Sequence, residues 1–214
     1  MKLVTVIFTL LFAISSRGLG QGFVNLDFES ANLSGHSSGV VSADNAFPGW
    51  TLGAQYILYD SVSLSGGSLS IFDSKPPYNA PAIQGTYFAY FQSANDPRYP
   101  FSCFLSQNGQ IPSWAQSMSF WGIVGGLQIT FNGQSLGLAV VANTANYSEY
   151  TADISAFSGQ TGQLLFNLPP NSGYAELDNL QFSSTAVPEP GGMALYALGL
   201  IGLVWNFPRR RRQI

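Results

Sequence analysis

The amino-acid sequence predicts an all-β sandwich between an N-terminal signal peptide and a single C-terminal transmembrane helix. Three observations support this prediction. Short runs of β-branched and aromatic residues alternate with turn-forming residues through the middle of the chain, as they do in β-sandwiches. Apolar stretches occupy both ends of the chain. Charged residues make up only 9% of the sequence, and most of the cations lie near its two ends.

The first 20 residues predict a secretory signal peptide. Lys2 supplies the positive start, and the apolar run 3–14 follows it, within the usual length of such segments. The small residues Gly18 and Gly20 then mark a cleavage site before Gln21. A permanent N-terminal anchor is the alternative, but the apolar run is short for a bilayer about 30 Å thick.

Residues 21–185 predict the sandwich domain. Alternating or β-rich segments are separated by Gly, Pro, Asn and Ser, which favour turns. The hairpin signal at Asn132-Gly133 is the best in the chain, because this pair tolerates the positive φ angles of a type I′ turn. The predicted strands cover 22–29, 56–59, 69–72, 87–91, 101–105, 115–121, 127–131, 134–136, 147–154, 163–167 and 174–182.

The charge and composition of this domain exclude several classes of function. Between residues 22 and 187, ten carboxylates stand against the two cations Lys75 and Arg98, so we expect no nucleic-acid binding. The single cysteine, Cys103, excludes an internal disulfide and is expected to be a buried, unreactive thiol. The sequence contains no Gly-x-Ser-x-Gly nucleophile elbow, so we do not expect the single histidine, His36, to act as the base of a serine hydrolase. No spacing marks a glycosidase pair among the carboxylates, and we therefore expect no enzyme.

The C-terminal region, residues 186–214, contains three segments in order. Pro188, Glu189 and Pro190 come first, and the uncharged apolar stretch 191–207 follows. A helix over that stretch would span roughly 25 Å, enough for a thin bilayer. The positive-inside rule then keeps the basic end in the cytoplasm and the domain on the far side of the membrane. The basic end consists of Arg209, Arg210, Arg211 and Arg212.

This order of tripeptide, short helix and arginine cluster closely resembles the PEP-CTERM sorting signal of Gram-negative bacteria. The resemblance implies that an exosortase recognises Pro188, Glu189 and Pro190 and removes the helix and the arginines. It also implies an inner-membrane intermediate, followed by delivery to the cell surface or the extracellular matrix. An ordinary single-pass anchor without processing is the alternative.

Two stretches at the edges of the domain are similar to carbohydrate-binding jelly rolls of the galactose-binding-like type. They are 25–29, followed by Pro48-Gly49-Trp50, and 177–182. The resemblance implies a jelly-roll-like sandwich whose first and last strands run close together. It also implies a structural calcium ion held by Glu29 and Asp178, since calcium takes oxygen ligands. Asn25, Asp27 and Asn179 are the second choices. The alternative is that these are edge carboxylates that face water.

Two Pro-rich segments place the domain's cations beside tyrosines. Lys75 and Tyr78 lie in one segment, and Arg98 and Tyr99 lie in the other. If the two loops converge, they would form a polar and aromatic face for a glycan, because aromatic rings stack on sugar rings. The alternative is that nearby aspartates pair with the cations and the tyrosines cap the core. The tryptophans expected in the core are Trp50, Trp114 and Trp121.

These patterns together predict an exported cell-surface or matrix protein with a structural or adhesive role, sorted and processed by exosortase. The alternative is a non-catalytic carbohydrate-binding module for exopolysaccharide in the same location. Before processing, the C-terminal helix would hold the chain in the inner membrane. No cofactor other than the calcium ion is expected.

Overall fold

The computed structural model describes residues 22–63, 65–73, 83–94, 96, 98 and 101–187. Strands dominate this part of the chain and form two sheets, which confirms the predicted all-β sandwich. Among the described residues, no helix has the length and hydrophobicity needed to cross a membrane. The predicted signal peptide, C-terminal helix and sorting signal lie outside the described residues.

The strands are short, as the closely spaced turn residues predict. They are joined by loops, one α-helical turn, α1 (Ala43–Ala46), and one 3₁₀ turn (Ser155–Phe157). The strands are β1 (Gly39–Val40), β2 (Thr51–Gly53), β3 (Tyr56–Tyr59), β4 (Ser68–Asp73), β5 (Tyr87–Gln92), β6 (Cys103–Gln110), β7 (Ser117–Ile123), β8 (Gln128–Phe131), β9 (Gln134–Ser135), β10 (Leu138–Asn143), β11 (Ser148–Asp153), β12 (Thr161–Leu168) and β13 (Tyr174–Ser183).

The two sheets have different sizes. The larger sheet has eight strands in the order β1-β3-β4-β5-β13-β7-β11-β10, and the smaller has five in the order β2-β6-β12-β8-β9. The last strand, β13, therefore lies inside the larger sheet, between β5 and β7. The ladder between β3 and β4 is parallel, so the Gly66-Gly67 turn between these strands does not close a hairpin.

The core lies between the sheets, where side chains from both layers meet. Phe120 of β7 packs edge-on against Phe166 of β12, with ring centroids 6.2 Å apart. Trp50 also contacts Phe166, and its indole N–H donates a 2.9 Å hydrogen bond to the Asn25 carbonyl. The expectation of a core tryptophan is confirmed for Trp50. It is wrong for Trp114, which is 57% exposed, and for Trp121, which is partly buried but not part of the core.

The buried thiol of Cys103 behaves as the sequence predicts. The side chain is fully buried, and its Sγ donates to the Gln92 carbonyl at 3.1 Å. Burial raises the pKa of the thiol to about 12, so the reactive thiolate is not formed near neutral pH.

The predicted opening strand 22–29 is wrong. This segment makes only an isolated bridge from Gly22 to Gln110. Asn25 and Phe28 have φ angles of 50° and 59°, and left-handed backbone at two positions cannot continue a strand. The segment nevertheless lies beside β13, because the Leu180 N–H donates to the Leu26 carbonyl at 3.0 Å.

Candidate functional site

An aromatic cleft lies at one edge of the five-stranded sheet. It has a volume of about 450 Å³ and is open to solvent. The described residues that line it come from the end of β2, the loop after β2, and the start of β6. We call this hollow the aromatic cleft. Its described lining residues are Gly53, Ala54, Gln55, Phe101, Ser102 and Phe104.

Strand alternation and one glycine create this cleft. Cys103 and Leu105 of β6 face the core, so the intervening Phe104 lies on the outer face of the sheet. Its partner on β2 is Gly53. A Cβ atom at position 53 would collide with the Phe104 ring, so the ring lies across the space that a side chain would occupy. Phe101 adds a second ring that is 51% exposed.

Polar groups surround these two rings, but charged groups do not line the described part of the cleft. The Gln55 amide donates to the Tyr56 hydroxyl at 3.4 Å, and the Tyr56 ring is itself 39% exposed. Ser102 contributes a hydroxyl to the lining. Exposed rings with nearby amides and hydroxyls have the chemistry needed to stack on a sugar ring and bind its hydroxyl groups.

Of the four predicted glycan-binding residues, Arg98 lies within the described residues. Its guanidinium group forms a bidentate pair with Asp96, with Nε–Oδ1 at 2.9 Å and Nη2–Oδ2 at 2.6 Å. This pair lowers the pKa of the Asp96 carboxyl. Lys75, Tyr78 and Tyr99 lie outside the described residues. The predicted loop is nevertheless adjacent to the aromatic cleft in sequence, because Arg98 precedes Phe101 by three residues.

The two predicted calcium ligands both bind the backbone of the segment that leads into β5. Oε1 of Glu29 accepts hydrogen bonds from the Thr86 and Tyr87 N–H groups at 2.7 and 2.8 Å. Oδ2 of Asp178 accepts from the Gln84 N–H at 2.8 Å. The first and last segments of the domain therefore hold the same loop, each through a carboxylate.

The charges around this pair suit a cation, although the hydrogen bonds hold the loop without one. Burial is the main cause that raises the pKa of Asp178 to about 7, and the negative charges of Glu29 and Asp27 add to it. Across the described part of the chain, no group of three or more His, Cys, Asp or Glu side chains is arranged to hold a metal. Backbone carbonyls would have to complete the six to eight oxygen ligands that calcium takes. Calcium binding therefore stays a prediction.

The second-choice ligands have structural tasks of their own. Asn25 ties its loop together, because its amide donates to the Pro48 carbonyl and its Oδ1 accepts from the Ser30 N–H, both at 3.0 Å. Asp27 accepts from the Glu29 N–H at 3.3 Å. The Asn179 Oδ1 accepts from the Gln181 amide at 2.7 Å.

No protein-family model and no curated protein matches the sequence. The chain shares 16% identity, at a TM-score of 0.44, with TmCBM61, a carbohydrate-binding module solved in complex with β-1,4-galactotriose, over 76% of this chain and 98% of that one. It shares 16% identity, also at 0.44, with the K2 cleaved adhesin domain of Lys-gingipain, over 73% and 95% of the two chains.

A third similarity has a TM-score of 0.37 and 12% identity. It is to the enzymatically active domain of tailspike protein 4 of bacteriophage CBA120, over 63% of this chain and 19% of that one. TM-scores below 0.5 do not establish a shared topology, so the ligand and the activity of this chain are argued from its own residues.

Proposed function

We propose that this chain is an exported cell-surface or matrix protein that adheres by binding a neutral glycan in the aromatic cleft. The cleft itself carries the proposal: Phe101 and Phe104 line an open hollow of about 450 Å³. Exposed rings of this kind are costly to leave in water unless a ligand covers them, and a sugar's apolar face is a suitable cover.

The uncharged lining favours a neutral sugar over an acidic one. Gln55 and Ser102 offer an amide and a hydroxyl to sugar hydroxyl groups. Arg98, which precedes Phe101 by three residues, is engaged by Asp96 through two parallel hydrogen bonds, and such a bidentate pair occupies several of the guanidinium's hydrogen-bond donors. An anionic polysaccharide would also meet the repulsion of a domain that is acidic overall.

The two ends of the sequence supply the location. The predicted signal peptide starts export, and exosortase then recognises Pro188, Glu189 and Pro190 in the membrane-held intermediate. The described chain stays hydrogen-bonded to the domain as far as Thr185, whose carbonyl accepts from the Ser117 hydroxyl at 2.7 Å. Thr185 precedes Pro188 by three residues in the sequence. Exopolysaccharide would be the ligand available at the cell surface.

Glycan binding can be tested with the full-length chain purified in a mild detergent and applied to an array of neutral polysaccharides. Phe101→Ala should weaken binding at least tenfold, because it removes the more exposed ring of the cleft. Trp114→Ala is the matched control, since Trp114 is an aromatic residue of similar exposure that does not line the cleft, and it should bind as the wild type does. Absence of binding to every neutral glycan, or equal loss in both variants, would contradict the proposal.

Processing can be tested separately by mass spectrometry of the native C-terminus. Protein recovered from the cell surface should end near Pro190. Surface protein that still carries Arg212 would show that the sorting signal is not removed.

A further inference from the structure

A second set of aromatic and acidic residues lies on the outer face of the eight-stranded sheet. Ala175 and Leu177 of β13 face the core, so the alternate residues Tyr174, Glu176 and Asp178 lie on the opposite face. Tyr90 of β5 is the cross-strand partner of Glu176, and Trp121 of β7 is the partner of Asp178. We call this set, together with Tyr147, the acidic-aromatic face.

Glu176 is the unusual member of this face. It is 8% exposed, yet its carboxylate makes no hydrogen bond with any described residue, whereas Asp178 accepts one from the Gln84 N–H and one from the Asn179 N–H. Burying a carboxyl group without a partner is costly. Burial alone raises the pKa of Glu176 to about 7.

The Glu176 carboxylate is nevertheless within reach of a ligand. Among the described residues, no side-chain nitrogen or oxygen that is fully shielded from solvent lacks a hydrogen-bond partner. Because Glu176 has no partner there, its oxygens must keep a narrow opening to solvent. A carboxylate that has no partner and that solvent can still reach can take a bound cation as its counter-ion.

Aromatic residues lie beside Glu176 on this face. Tyr90 and Tyr174 stack in parallel, with centroids 5.6 Å apart. Tyr147 lies close enough to Glu176 and Asp178 for their charges, after burial, to raise its pKa to about 12. The Thr144 turn fixes Tyr147, since the Thr144 Oγ1 accepts from the Tyr147 N–H at 2.9 Å.

A small polar cavity shares Tyr147 with the acidic-aromatic face. It has a volume of about 220 Å³ and lies between the end of β7 and the loop that carries Tyr147. Ile123, one of its lining residues, is the β7 partner of Glu176. The cavity also offers hydroxyl and amide groups, from Thr144, Asn146 and Ser148, although Glu176 itself is not among its lining residues.

The charged neighbours of this face are negative on each side. Asp27 and Glu29, in the segment beside β13, act on Asp178 through their charges. Glu149 of β11 is the cross-strand partner of Trp121. The described residues include a single lysine or arginine, Arg98, which is paired with Asp96. The face therefore attracts cations, and its rings favour an organic ammonium group through cation–π attraction.

We propose that the acidic-aromatic face binds the ammonium group of an amino sugar, with Glu176 as its counter-ion and the rings of Tyr90, Tyr147 and Trp121 around it. The polar groups of the adjoining cavity would take the sugar hydroxyls. This site lies on the other sheet from the aromatic cleft and has the opposite electrostatic preference, so the two sites can succeed or fail independently.

Calorimetric titration of the full-length chain in detergent tests this proposal, with a glucosamine hexasaccharide as the ligand and the N-acetylglucosamine hexasaccharide as its uncharged match. Both sugars are titrated into the wild type and into Phe101→Ala, because the neutral sugar can also bind in the aromatic cleft. In Phe101→Ala, the acetylated sugar should bind at least ten times more weakly than the free amino sugar. Added salt should weaken the binding of the free amino sugar, because it screens the attraction between opposite charges.

Variants separate Glu176 from the rest of the molecule. Glu176→Gln should lose at least tenfold in affinity and most of the salt dependence of binding, because it removes the counter-ion. Trp121→Leu should lose affinity but keep the salt dependence, because it removes a ring and no charge. Asp44→Asn, which changes an exposed carboxylate in α1, is the control and should bind as the wild type does.

Three results would overturn the proposal. They are equal binding of the acetylated and free amino sugars by Phe101→Ala, unchanged affinity in both Glu176→Gln and Trp121→Leu, and loss of amino-sugar binding in Phe101→Ala, which would assign that ligand to the aromatic cleft. Circular dichroism of each variant checks its fold. If Glu176→Gln does not fold, Trp121→Leu with its weaker affinity and unchanged salt dependence still decides the outcome.

Discussion

The aromatic cleft and the acidic-aromatic face use the same kind of residue in opposite electrostatic settings. The described lining of the cleft carries no charge, so its rings are suited to the apolar side of a neutral sugar. In the acidic-aromatic face, carboxylates on β13 stand beside the rings, and the same aromatic groups favour a cation. The comparison teaches that neighbouring charges, more than the rings themselves, decide which ligand an aromatic surface selects.

The two regions also differ in what holds them. The cleft lies at a sheet edge, where Phe104 depends on the missing side chain of Gly53. The acidic-aromatic face lies on β13 and β7, which have a strand on each side. A change in the cleft should therefore move a side chain, whereas the same change on β7 should move backbone.

The largest expected effect is that of Gly122→Ala on β7. A Cβ atom at position 122 would collide with the carbonyl oxygen of Glu176 on β13, and that backbone cannot give way without breaking the ladder between the two strands. We expect the free energy of unfolding to fall by about 3 kcal/mol, measured by chemical denaturation.

Gly137→Ala is the matched control, because a Cβ atom at that position meets no atom within 4 Å. It should leave the free energy of unfolding within about 0.5 kcal/mol of the wild type. Equal stability of the Gly122 and Gly137 variants would mean that β7 and β13 do not approach as closely as the structure has them.

The next effect concerns the pH dependence of stability, which Glu176 should dominate together with Asp178. Each carboxyl has a pKa of about 7 in the folded state, above its unfolded value. The folded state therefore holds more protons, and stability is present at low pH and lost as pH rises from about 4 to about 7.

Glu176→Gln should remove part of this loss. We compare the free energy of unfolding of the variant with that of the wild type by urea unfolding at pH 4 and pH 8. The difference in favour of the variant should grow by on the order of 2 kcal/mol between these two pH values. The pH dependence of stability that remains in this variant is due to Asp178. Asp44→Asn, the control, should have the same pH dependence as the wild type. A wild-type stability that rises between pH 4 and pH 7 would show that Glu176 has a charged partner in the folded state.

Sequence patterns predicted the strands well where alternation and turn residues agreed. The Asn132-Gly133 hairpin is confirmed, since β8 and β9 pair across it and the two residues have φ angles of 49° and 76°. The segment 22–29 has the same alternation but forms a loop, because hydrogen bonds from the Asn25 side chain stabilise a left-handed turn that a pattern of apolar residues does not encode. Strand β10 was missed, since its exposed Val140 and Val141 follow each other without alternation.

The sites were harder to predict than the strands, for a physical reason. The aromatic cleft depends on the register that places Gly53 opposite Phe104, and no local pattern reports the pairing of two segments 51 residues apart. The position of Glu176 was easier to predict from the sequence. The alternation of β13 puts Tyr174, Glu176 and Asp178 on one face, but their burial follows from the elements packed against them.

A smaller effect is expected from calcium removal. The resemblance of the sequence implies that calcium neutralises Glu29 and Asp178. If it does, a chelator should restore the repulsion between the two carboxylates and lower the melting temperature by about 3 °C. Magnesium added in excess of the chelator should not restore it, because magnesium demands a tighter octahedral site. An unchanged melting temperature in EDTA would mean that the hydrogen bonds to Gln84, Thr86 and Tyr87 are sufficient to hold the loop.

The smallest expected effect on folding is that of Gly53→Ala in the aromatic cleft, and it returns to the contrast between the two regions. The added Cβ meets the Phe104 ring rather than backbone, and a surface ring at a sheet edge can rotate away. The free energy of unfolding should therefore fall by less than about 1 kcal/mol. The displaced ring no longer lines the cleft, so affinity for the neutral glycan should fall about fivefold while amino-sugar binding is retained. Loss of stability as large as that of Gly122→Ala would show that the cleft, too, is held by backbone rather than by one movable side chain.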